Sequence, residues 1–175
     1  MNGLERFSES HLDSIKACLQ VAEDCLGRFY RFSPREWFHF SFEILTMRDL
    51  PPDFPPRHPA VFGETVRHPD RIILDGTDSQ PKGCYSIILF DENILAHLHQ
   101  APQTCFEHLL LYILTHELVH VARFHHLMES YQLPDAERDR EERLVHRLTG
   151  AILAQLPDVE IGSLAARYSS EEFSM

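Results

Sequence analysis

Thr104 to Leu127 reads TCFEHLLLYILTHELVHVARFHHL, a stretch with neither glycine nor proline. Leucine, isoleucine, valine and alanine dominate it, which predicts one long buried helix. Pro134 breaks that helix, and Asp135 is placed to cap a further one reaching about Leu156, before Pro157. Working upstream, Cys84 to Phe90 (CYSIILF) and Arg71 to Leu74 (RIIL) read as short strands set off by turn-forming residues. Residues 51 to 59 hold five of the eleven prolines, so the stretch LPPDFPPRHPAVFG is a stiff surface loop. From Glu36 to Met47, Trp37, His39, Ser41 and Glu43 alternate with Phe38, Phe40, Phe42 and Ile44, the period of a strand with one buried face. Residues 9 to 31 form an amphipathic helix whose stripe is Leu12, Ile15, Leu19, Ala22 and Leu26, flanked by Cys18 and Cys25. The order helix, strands, helix, helix predicts a single α+β domain over residues 1–175. Its serine-rich, acidic tail, from about residue 161, is expected to fray.

With 175 residues the chain is long enough for one core without staples. No apolar run approaches the roughly 18 residues of a membrane span. The stretch MNGLERFSESHLDS carries charges where a signal peptide needs its apolar segment, and the four cysteines form no CxxC pair. Free thiols and a cytoplasmic location are the expectation. Sixteen basic against 27 acidic residues leave a net charge of −11, which disfavours nucleic acid and anionic membranes as partners. The arginines Arg138, Arg140, Arg143 and Arg147 alternate with Asp139, Glu141 and Glu142, as surface ion pairs on a helix do. One count stands out: eight of the 12 histidines fall between His97 and His146.

Within that window lies HELVH, His116 to His120. Two histidines four apart stack on one face of a helix, where both rings can reach a single metal ion. Glu117 is placed to meet a water on that metal rather than the metal itself. A catalytic zinc site has three protein ligands and an open fourth position, so one ligand is missing. His126 has the spacing of the last histidine in HExxHxxGxxH, but Arg123 stands where that pattern needs a chain-reversing glycine. On a continuous helix His126 faces away from His120.

The other source is the helix ERDREERLVHRLTGAIL, with Glu141 and Glu142 at 21 and 22 residues past His120. Here the sequence resembles the gluzincin branch of the zincin metallopeptidases, over roughly residues 85 to 155. In that family a glutamate on the next helix completes the site, and an acidic residue four positions on orients a histidine ligand. The resemblance implies Zn2+ held by His116, His120 and Glu142, with His146 in place of the usual aspartate. The helical wheel points instead to Glu141, nearer the centre of the stripe Leu144, Val145, Leu148 and Ile152. A buried carboxylate there demands a metal or an arginine beside it, so Glu141 stays open as the alternative ligand.

The family also implies a zincin-like fold. A small mixed sheet would pack on the N-terminal helix and the active-site helix, and an edge strand would bind extended substrate. Tyr85 to Phe90, the last strand before the helix, is the candidate for that edge. The implied activity is hydrolysis of a peptide or protein substrate, as an endopeptidase, with Glu117 as general base. His125, His146, Tyr112, Tyr131 and Arg123 are candidates by type to stabilise the oxyanion. Two alternatives remain: a metal-binding regulatory or interaction module without peptidase activity, and a structural metal site using His97 and His99. The latter pair reads as solvent-facing, on a connector.

Overall fold

In the computed structural model, which describes residues 5–33, 36, 41–73, 82–126 and 135–170, a buried helix organises the chain. Five helices are described: α1 (Glu9–Tyr30), α2 (Asp91–Gln100), α3 (Phe106–His126), α4 (Asp135–Leu153) and α5 (Val159–Ser170). Three strands, β1 (Ser41–Leu45), β2 (Gly63–Ile73) and β3 (Lys82–Leu89), make one mixed sheet, so the protein is α+β. Every residue of α3 from Leu109 to Ala122 is buried. With no side facing water, α3 touches α1, α4, α5, β2 and β3. Its polar residues must therefore find partners inside the protein.

Helix α1 follows the predicted periodicity, with the buried face displaced toward the cysteines: Ile15, Cys18, Ala22, Cys25 and Leu26. Ser8 caps it by accepting from the His11 N–H at 3.3 Å, and His11 Nδ1 returns the bond to the Ser8 N–H at 3.0 Å. All four cysteines are free thiols. No helix among the described residues is long and apolar enough to cross a membrane.

The strand order is β1-β3-β2, with β1 parallel and β2 antiparallel to β3. This corrects the placement of Tyr85 to Phe90 as the substrate-binding edge. Tyr85, Ile87 and Leu89 point into the core of the central strand, and both sides of that strand are already paired. The outer strand beside α3 is β2. It starts at Gly63, eight residues earlier than the RIIL segment suggested, and its register shifts between His68 and Ile73 around Pro69.

Two further expectations change. His97 and His99 lie on α2, not on a connector; the His97 ring lies 5.1 Å from that of Phe62, tilted against it, and bonds the Tyr168 hydroxyl at 2.6 Å, while His99 is exposed. The tail does not fray over residues 161–170: it forms α5 and buries Ile161, Leu164, Ala165 and Tyr168 against the core. Trp37 to Phe40, Leu74, Tyr131, Pro134 and residues 171–175 lie outside the described residues.

Candidate metal centre

Helix α3 runs unbroken through Arg123 to His126, so the chain reversal that would bring His126 back to the pair is absent. The side chains of His125 and His126 lie outside the described set. One turn of α3 separates His116 from His120 and brings their Nε2 atoms to 3.1 Å of each other. Helix α4 packs on α3 and inserts the Glu142 carboxylate between them. Its Oε2 is 3.4 Å from His116 Nε2, and its Oε1 is 3.3 Å from His120 Nε2.

Glu141, the adjacent residue, points elsewhere. It accepts from Arg123 through two nitrogens, one of them Arg123 Nη2 at 2.8 Å, in a forked ion pair with both side chains nearly buried. The helical wheel placed Glu141 correctly on the inner face, and the arginine that its burial demanded is Arg123. That residue also occupies the glycine position of the rejected HExxHxxGxxH pattern.

Burial and charge set the protonation of the group. Burial pushes the His116 imidazole down to about 3, against the opposing pull of the Glu142 carboxylate. Burial also works against charge on His120, but the Glu142 carboxylate outweighs it and holds that imidazole above its usual range. Glu142, though burial favours its neutral form, is kept well below the usual carboxylate range by the two imidazoles facing it. Burial lifts the Glu117 carboxyl to about 7, opposed by His120 and the Thr65 hydroxyl. Buried His116 Nδ1, His120 Nδ1 and Glu142 Oε2 have no hydrogen-bond partner among the described residues.

His146 sits one turn beyond Glu142, buried, with its ring 4.5 Å from that of His116 and its Nδ1 on the Tyr112 hydroxyl at 2.7 Å. Donor atoms of His116, Glu142 and His146 all lie within 4.8 Å, a buried group that could hold a metal ion. The His116–His120–Glu142 group is tighter, at 3.1 to 3.4 Å. Two imidazole nitrogens facing the two oxygens of one carboxylate in so small a space suit a shared cation.

The group opens on a cleft of about 420 Å³. It is lined by Glu117 and His120 of α3, by Glu141 and Glu142 of α4, and by Gly63, Glu64 and Thr65 of β2. Tyr112, Arg123 and His146 do not line the cleft, while Arg57 and Arg138 do. Arg57 is held by Glu64 at 2.8 Å and stacks over Phe54 at 5.0 Å, which anchors the proline-rich loop at the rim. Sequence reasoning missed Arg57, Gly63 and Thr65. The latter two stand on a strand segment interrupted by proline, with no motif to mark them. Thr65 Oγ1 donates to Glu117 Oε2 at 2.7 Å, a contact between residues 52 apart. No family model, curated protein or solved structure matches this chain.

Proposed function

We propose that the protein is a zinc-dependent metallopeptidase of the gluzincin type, with His116, His120 and Glu142 as the metal ligands. The observation that carries this reading is the convergence of the three donor atoms. Ligands placed about 2.0–2.1 Å from zinc at tetrahedral angles stand about 3.3 Å apart; here the two imidazole nitrogens are 3.1 Å apart, and they lie 3.3 and 3.4 Å from the two oxygens of the Glu142 carboxylate. Burial favours neutral His116 and the imidazoles favour ionised Glu142, the forms a metal needs, while His120, held above its usual range by Glu142, would release its proton on binding.

Zinc bound there supplies Lewis acidity, which polarises a carbonyl and acidifies water. Glu117, lining the cleft, takes the proton of the attacking water at a carboxylate oxygen and delivers it to the departing amide nitrogen. The outer strand β2 borders the cleft, so an extended peptide would lie along it, hydrogen-bonded backbone to backbone. Arg57, paired with Glu64, and Arg138 are cationic side chains that line the cleft.

The test is zinc per chain and cleavage of a library of fluorescence-quenched peptides, for the parent and for Glu117→Gln. One zinc per chain in both, with cleavage by the parent alone, is expected. A parent that holds no zinc after purification in zinc-containing buffer contradicts the reading at its first step.

A second reading rests on His146. As a fourth protein ligand it would close the site and make it structural or regulatory. Its Nδ1 is bonded to the Tyr112 hydroxyl at 2.7 Å, which leaves Nε2 as the nitrogen that would meet the metal. Under the closed-site reading, His146→Ala loses zinc and no peptide is cut by any variant.

A further inference from the structure

We infer that Thr65, helped by the absence of a side chain at Gly63, is a positioning residue that fixes the Glu117 carboxylate at the cleft. The inference rests on the metallopeptidase reading, and it concerns two residues that the HExxH motif does not contain.

The geometry starts from the strand. Gly63 and Thr65 are two apart on β2 and so face the same side, toward α3. Thr65 Oγ1 lies 2.7 Å from Glu117 Oε2 and 3.3 Å from the Glu117 carbonyl oxygen. A hydroxyl has one proton, and the shorter contact to the carboxylate takes it. The carboxylate's other side runs against Gly63. A Cβ there would stand 2.9 Å from Glu117 Oε1, 3.1 Å from its Cγ and 3.1 Å from Ile113 Cγ2. Ile113 is fully buried in α3 and cannot retreat, so the Glu117 side chain would have to swing. The strand thus holds one oxygen by a hydrogen bond and leaves room for the other. Both controls act on a group that is 2 % exposed and has little solvent to steady it.

A buried threonine on a strand also has an ordinary role, filling space with its methyl group. The two roles predict opposite rankings. Thr65→Val keeps the shape and removes the hydroxyl; Thr65→Ser keeps the hydroxyl and removes the methyl.

If Thr65 positions Glu117, Thr65→Val lowers kcat at least about tenfold at unchanged KM and zinc content, within the roughly 10²–10⁴ that a general base contributes. Thr65→Ser then stays within about threefold of the parent. Gly63→Ala, which keeps both hydroxyl and methyl, also loses kcat while retaining zinc. Activity is not the only readout. In the metal-free protein, Thr65→Val lowers the unfolding midpoint of the parent more than that of a Glu117→Ala background, where only the carbonyl acceptor at 3.3 Å remains. The proposal is overturned if Thr65→Val cleaves the peptide library as fast as the parent, if Thr65→Ser falls as far as Thr65→Val, or if the two unfolding effects simply add. Full Thr65→Val activity beside an inactive Glu117→Gln removes the positioning role alone. A zinc-loaded parent that cuts no peptide removes the metallopeptidase reading and the positioning role with it.

Discussion

Glu141 and Glu142 are consecutive, chemically identical and on the same helix, yet one is locked to Arg123 and the other lies between two imidazoles. About 100° of helical rotation separates them. From sequence, the spacing of the resemblance favours one and the hydrophobic stripe favours the other, and both signals are physically sound. Burial is greater for Glu141, as the stripe implies, but burial does not identify the partner. Arg123, 18 residues earlier on another helix, does, and no one-dimensional pattern connects it. The two roles separate by mutation. Glu142→Ala should abolish stoichiometric zinc binding. Glu141→Ala should keep the zinc but remove the forked pair with Arg123, lowering stability by roughly 1.5–3 kcal/mol in urea unfolding. Zinc loss from Glu141→Ala with retention by Glu142→Ala would reverse the assignment. His116, Glu117 and His120 were legible because their relation is local to one helical turn; Thr65 and Gly63 were not, because theirs is a cross-chain approach of strand to helix.

At the level of elements, the strongly periodic pieces were readable and the short ones were not. Helices α1 and α3 are long, and their burial decides their pattern. Asp91, Glu92 and Asn93 look like a strand stop, and they are one; they also open α2, where acidic side chains favour the positive helix end. Asp91 goes further, accepting from the Phe7 and Met47 N–H groups, both at 3.1 Å, and so pinning the chain before α1 and the end of β1 to α2. In α5 the buried residues Ile161, Leu164, Ala165 and Tyr168 keep helical spacing, but Gly162 and the serines hide it. Its start is fixed by Asp158, whose Oδ1 accepts from Glu160 N at 2.9 Å and Ile161 N at 3.1 Å. His108 of α3 meets the other oxygen at 3.1 Å. The Ile161 N–H above all, then Glu160 N–H and His108, hold this carboxyl below its usual value of 3.8. A depressed folded pKa stabilises fully above the unfolded value and is lost as pH falls through the folded one. Asp158→Ala should therefore lower the unfolding midpoint at pH 7, with the difference from the parent shrinking below about pH 4. A difference that persists unchanged into strong acid would rule out the ionised cap.

Across the whole molecule, one buried helix gathers the site. Helix α3 is buried on every side over Leu109 to Ala122, and its histidine pair meets Glu142 of α4 while its Glu117 meets Thr65 of β2. Helix α4 brings the third candidate ligand and β2 brings Gly63 and Thr65 against Glu117, so residues spread from 63 to 142 meet at a single cleft. The α+β class and the neighbouring last helices followed from the order of periodic segments. The sheet order did not, since an 11-residue strand containing a proline gives no clear alternation. The central claim is that His116, His120 and Glu142 together hold zinc. Crystals of the zinc-loaded protein, measured on both sides of the zinc absorption edge, test it most directly. One anomalous peak per chain is expected, between the Nε2 atoms of His116 and His120 and the Glu142 carboxylate. No peak there, or a peak beside Glu141 or on other side chains, would contradict it.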